Sequence, residues 1–202
     1  MEKSKFRIGF DINGVLRNTI GKIEQTYDKF YLSTTDGLED DSFNYEMNLP
    51  VTSLDLKEHF KFKDDEELYS FLYEEFAMEI FGHAQSTEYS TFNELHQIYL
   101  NYRDNNDLLI VSDEIGKSKP ATLFFLSKFI CQLEKIKFYS NSTVNSMWDE
   151  IDILLTSNPT LLLEHPEDKI IIRYLTDYNK HINLEDSINS INEFEFVLKK
   201  YI

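Results

Sequence analysis

Four places in this 202-residue chain set reactive side-chain types just beyond an apolar run. "FRIGFDING" delivers Asp11, Asn13 and Gly14, "LLIVSDE" delivers Ser112, Asp113 and Glu114, "IKFYSNS" delivers Asn141 and Ser142, and "DILLTSNP" delivers Thr156, Ser157 and Asn158. Carboxylates can accept hydrogen bonds, exchange protons and hold cations, whereas the amide of Asn13 hydrogen-bonds but has no titrating proton to give. Other chemistries are thin. The five histidines, His59, His83, His96, His165 and His181, show no i, i+4 spacing and no neighbouring cysteine, so a zinc site is not expected. The glycines form neither a dinucleotide fingerprint nor a phosphate loop, and no Gly-x-Ser-x-Gly elbow is present. The lone Cys131, within "FFLSKFICQL", reads as a small buried apolar residue.

The elements that must position these residues are legible as short continuous apolar runs at 6–10, 108–112, 136–140, 152–156 and 169–175. They lack the alternation of a half-solvated strand, the pattern of strands covered on both faces in a parallel sheet. Helical segments are predicted between them, at 16–32, 119–135, 142–150, 159–164 and 185–200, with Pro120 and Pro159 suited to first turns. Strand and helix alternate, which predicts a three-layer, Rossmann-like α/β fold with a mostly parallel sheet and right-handed crossovers. Ligands in such sheets gather at the carboxyl ends of the strands, where the four clusters fall. Residues 33–104 break the rhythm: a polar stretch, 33–50, precedes predicted helices at 64–84 and 90–103. They read as an acidic, mainly helical cap-like insertion after the first strand, with the α/β core in 1–32 and 105–202.

The order of motifs resembles the haloacid dehalogenase (HAD) superfamily, particularly its 5′-nucleotidase-like branch, over roughly 5–32 and 106–180. "FDINGVL" matches the first motif, Asp-x-Asp-Gly-Val/Thr-Leu, except at Asn13; "LLIVS" matches the second; "DILLTSNPTLLLEHPEDKIIIRYLTDYNK" resembles the fourth-motif region. The resemblance implies Asp11 at the nucleophile position, Asn13 at the acid/base position and Ser112 at the phosphate-binding position. It implies Mg²⁺ as cofactor if the chain is active, with Asp11 as a ligand; Asp113 and Glu114, which follow Ser112 at the same strand edge, would then stand in as the other metal ligands, and if the chain is inactive no cofactor is expected. Three departures weigh against activity. Asn13 replaces the proton donor, Thr156-Ser157 stands where paired acids are expected, and "YSNSTVNS" has no Lys or Arg at the third motif. Lys117 and Lys119 follow the second strand and read as solvated residues at a helix start. Phosphoryl transfer works by positioned charge, so losing all three together is more than additive. The reading is a catalytically degenerate HAD-fold protein with a structural or interaction role; the alternative is a Mg-dependent phosphatase acting on small phosphomonoesters.

A formal net charge of −16 opposes direct binding to nucleic acid, which is driven by Lys and Arg displacing counterions. No stretch approaches the ~18 apolar residues of a membrane span, and the amino terminus lacks the apolar core of a secretion signal. The expected setting is cytoplasmic, or a virion, with protein partners in a multi-subunit assembly. "DINGVLRNT" and the lysine-rich composition are similar to HAD-like proteins of tailed bacteriophages, including the crAss-like group, which implies a place in a tail or neck.

Overall fold

The apolar runs do become a sheet, and their order in it decides where the site lies. The computed structural model describes residues 5–32, 50–140 and 142–202; most of the polar stretch (33–49) and Asn141 lie outside these. The strands are β1 (Arg7–Asp11), β2 (Asp107–Ser112), β3 (Ile136–Phe138), β4 (Ile153–Thr156), β5 (Ile170–Tyr174) and β6 (Ser187–Ile188), all paired in parallel in the order β3-β2-β1-β4-β5-β6. β1 lies between β2 and β4, with Asp11 beside Val111 and Phe10 beside Leu155. This register brings Asp11, Ser112 and Thr156 to one edge, at the crevice where chain direction across the sheet reverses.

Both faces of the sheet are covered, as the unbroken apolar runs require. Ile8, Phe10, Ile110, Ile153 and Leu155 face one buried cluster, while Leu109, Val111 and Leu154 face another with Met147, Trp148 and Leu161. The helices are α1 (Thr19–Tyr27), α2 (Asp65–Ser70), α3 (Thr91–Tyr102), α4 (Ser118–Lys128), α5 (Val144–Trp148), α6 (Pro159–Leu163) and α7 (Phe194–Leu198). Local chemistry sets several starts. The side chains of Asn18, Asp64 and Asn158 accept from the backbone N–H groups of Gly21, Glu67 and Thr160, and Pro159 occupies the first turn of α6. At the opposite edge of the sheet, Asp152 pairs with Arg7 at 2.6 Å, which holds its carboxyl down at about 2. No helix among the described residues is long and apolar enough to cross a membrane.

Four expectations change. The helix predicted at 64–84 is broken: after α2, i→i+5 bonds from Phe76 N–H to Phe71 and from His83 N–H to Met78 widen two turns. The helix predicted to 135 ends at Lys128, with Ile130 at φ 53°. Residues 187–188, read as helix, form β6, and the final helix shrinks to 194–198. The fourth change is one of packing. Leu95 and Ile98 of α3, placed by the sequence in the insertion, bury in the same cluster as Ile8 and Phe10, so α3 serves the sheet. Described residues before it, including Leu56, Phe60, Phe71, Leu72 and Phe81, instead form a cluster with Ile23 and Tyr27 of α1 and Ala121 of α4. The chain leaves and re-enters the core side by side, with Asn18 N–H bonded to Gln85 O and Thr87 N–H to Leu16 O.

Candidate functional site

Two buried carboxylates define the edge. Asp11, 2% exposed, ends β1 and accepts a 2.6 Å hydrogen bond on Oδ2 from the Thr156 hydroxyl at the end of β4. That hydroxyl is itself oriented by the Asn158 N–H, 3.0 Å away. The backbone N–H groups of Ile12 and Asn13 favour the anion, yet Asp11 Oδ1 is buried and takes no well-formed hydrogen bond. Burial, assisted by the charge of Asp113, pushes the Asp11 carboxyl up to about 7 from its ordinary value of 3.8.

Glu114 is treated differently. Its Oε1 accepts from Arg17 and its Oε2 from the Thr122 hydroxyl, both in the interior. Arg17 has no exposed surface and uses all five N–H donors: Nε to Thr19 Oγ1 (3.2 Å), Nη1 to Phe81 O (2.8 Å) and Thr122 Oγ1 (2.7 Å), Nη2 to Asn13 Oδ1 (2.6 Å) and Glu114. Its guanidinium also lies over the Phe81 and Phe125 rings. Burial pulls Arg17 down to about 9 while Asp113 and Asp11 act the other way, so it stays charged at neutral pH.

Asn13 links the two groups. Its Oδ1 accepts from Arg17 and from Thr19 Oγ1 (2.7 Å), and its Nδ2 donates to the exposed Asp113 at 2.9 Å. Beneath it, Ser157 Oγ donates to the Asn13 carbonyl at 2.8 Å and lies 2.8 Å from the Tyr178 hydroxyl. Gly14 has φ 73°, and a Cβ there would collide with Tyr178 and Ser157, so the turn after β1 requires glycine. Asn179 fastens the far side, donating to Ser157 O and Tyr174 O at 2.9 Å each.

A cleft of about 210 Å³ opens over this edge, lined on its floor by Asp11, Asn13, Asp113, Glu114 and Ser157 and on its walls by residues that include Ile20, Leu54, Leu72, Tyr73 and Phe81. The edge thus gathers Asp11, Asn13, Asp113 and Glu114 as the sequence led one to expect. Ser112 is not among the lining residues; it is buried, and its hydroxyl accepts the Glu114 N–H at 3.4 Å. Lys117 and Lys119 are exposed, one 3.5 Å from Glu74 O and the other over the Phe138 ring, and no lysine or arginine lines the cleft among the described residues. Arg17 escaped sequence reasoning. Its only signal was a charge set in the apolar "GVLRNT", four residues after Asn13, which is close enough for the observed bond.

Solved structures share this fold across nearly the whole chain. A hydrolase from Streptococcus pneumoniae superposes with a TM-score of 0.61 at 12% identity, over 96% of this chain and 98% of its own. The fold is that of the haloacid dehalogenase-like hydrolases. A HAD-hydrolase of Bacillus subtilis, bound to magnesium, gives a TM-score of 0.59 at 13% identity over 98% and 100% of the two chains. A haloacid dehalogenase-like hydrolase of Burkholderia xenovorans gives 0.54 at 9% identity over 95% of each. At these identities the likeness to HAD structures concerns the fold. No protein-family model matches the sequence, and no curated protein matches it.

A magnesium ion asks for near-octahedral oxygen ligation that includes one or two carboxylates. This edge answers poorly. Thr156 and Ser157 present protons to Asp11 Oδ2 and the Asn13 carbonyl, Glu114 is engaged on both oxygens, and only Asp113 is left beside Asp11. Among the described residues no group of three or more His, Cys, Asp or Glu could hold a metal. Asp11 and Asp113 are two carboxylates, but with Asp11 only 2% exposed and no third acid among the described residues the side chains of this edge do not fit the ion.

Proposed function

We propose that this chain is a HAD-fold protein whose cleft binds without transferring a phosphoryl group, and that it acts by contact with a ligand and with protein partners. The observation that carries the reading is the pair of hydroxyls ending β4. Thr156 and Ser157 donate hydrogen bonds to oxygens of Asp11 and Asn13, at a position where the resemblance calls for acids that accept a cation. The charges agree: Arg17, the buried cation at the site among the described residues, is neutralised by Glu114 and is not free to meet a phosphate. Asn13 is held by Arg17 and Thr19 as an acceptor and has no proton to shuttle, a function worth about 10²–10⁴ in rate where it operates.

The test is phosphate release from an aryl phosphate and from nucleoside monophosphates, with and without Mg²⁺, for the wild type and Asp11→Asn. Equal rates at background are expected. Magnesium-dependent release that disappears in Asp11→Asn would overturn the proposal and restore the phosphatase.

A further inference from the structure

The cleft has a chemical polarity that points to one kind of guest. On its floor Asp11 is almost wholly buried with an oxygen that takes no well-formed hydrogen bond, and Asp113 stands beside it. Because Glu114 cancels Arg17, these two carboxylates are uncompensated among the lining residues. Above them the wall is apolar and aromatic: Ile20, Leu54, Leu72 and Phe81, with Tyr73 stacked on Phe81 at 5.7 Å. The cavity, about 210 Å³, suits a small molecule and is too polar below and too apolar above for a bare ion or a plain hydrocarbon.

We propose that the cleft binds a small primary alkylammonium ion, its N–H donors given to the exposed Asp113 carboxylate, its charge set against that of the buried Asp11 on the floor, and its alkyl chain against Ile20, Leu54 and Leu72. The inference rests on the reading of the cleft as one that binds without turnover, and it names the class of ligand. An ammonium group supplies what the floor lacks: a positive charge for two carboxylates, one of them desolvated, and hydrogen-bond donors for the exposed one. The Tyr73 ring adds an attractive face for a cation. An alcohol of the same shape can donate one hydrogen bond but leaves both charges uncompensated. A phosphate ester meets the same charges as repulsion, with no lysine or arginine on the lining among the described residues to offset it. Magnesium, which asks for near-octahedral oxygen ligation, meets hydroxyls already engaged with Asp11 and Asn13. The net charge of −16 concentrates cations of every kind near the surface, so selectivity must come from the cleft.

The experiment is a calorimetric titration at pH 8, backed by amide chemical shifts, of the full chain with propylammonium chloride, 1-propanol, MgCl₂ and methyl phosphate. Saturable binding of propylammonium alone is expected, with shifts centred on Asp11, Asp113 and Leu72. Asp11→Asn keeps the shape of the side chain and should weaken binding about tenfold or more, because it removes a buried negative charge beside the ammonium group. Asp113→Asn, at an exposed position that does not threaten folding, should weaken it several-fold. Binding of propanol as tight as that of the ammonium, binding of Mg²⁺ or methyl phosphate in its place, no binding at all, or unchanged affinity in both variants would each overturn the proposal. The phosphate-release assay is separate: silence there with no amine binding removes this inference alone, whereas Asp11-dependent turnover removes the reading beneath it.

Discussion

Glu114 and Asp11 are both buried acids at the same sheet edge, and the chain treats them in opposite ways. Around Glu114 both carboxylate oxygens and every guanidinium donor are matched: Arg17 and Thr122 take one oxygen each, and Arg17 spends its remaining donors on Asn13, Thr19, Thr122 and Phe81 O. Around Asp11 the accounting is left open, with one oxygen bound by Thr156, the other without a well-formed bond, and a second negative charge nearby. A closed network fixes geometry; an open one keeps a group available at an energetic cost. The contrast divides the edge into a structural half and a binding half.

The contrast breaks most severely at Arg17. Arg17→Met strands the buried Glu114 charge, and a loss of about 3–5 kcal/mol in urea unfolding is expected, much of it recovered when Glu114→Leu is added. Asp11→Asn should go the other way. Because its folded value of about 7 lies above its unfolded one, Asp11 destabilises the fold progressively as pH rises from about 4 to about 7 and fully beyond. Replacing it should therefore stabilise the protein at pH 8 by ~2–4 kcal/mol and change little near pH 4, as read from melting curves at both. Thr156→Val removes the one good donor to Asp11, and a loss of about 1.5–3 kcal/mol is expected at pH 8, smaller at pH 4 where the acid is protonated in either case. The smallest effect belongs to Asp113→Asn. It relieves the like charge on Asp11, whose carboxyl NMR titration should move down from about 7, with a stability gain under about 1 kcal/mol at pH 8 because Asp113 is exposed.

Much of this architecture was readable before any coordinates. Runs such as "LLIVS" and "DILLT" are apolar on both faces, which only a covered parallel sheet satisfies, and the residues directly after them had to meet at one edge. What escaped was decided by tertiary contact. β6 has two residues, Ser187 and Ile188, too short to leave a pattern. The turns at Phe71–Phe76 and Met78–His83 widen within a stretch whose apolar spacing fits an ordinary helix, and α3 looks the same whether it caps or packs on the sheet. At the site, Asp11, Asn13, Asp113 and Glu114 were found by their place at strand ends. Which of those acids would be neutralised depended on Arg17, and a solitary arginine in sequence does not announce the carboxylate it will meet 97 positions later.

The strand order has a consequence for synthesis. β1 leaves the ribosome well before β4, so one of its two long edges stays bare until β4 follows, the Thr156 hydroxyl trailing Asp11 by 145 residues. A nascent chain arrested before that point carries a central strand of five residues, Arg7–Asp11, with one edge unpaired, and lacks Ile172, Ile188 and Phe194, which complete the cover of its apolar side chains. Truncations ending short of residue 156 should therefore clump or recruit chaperones.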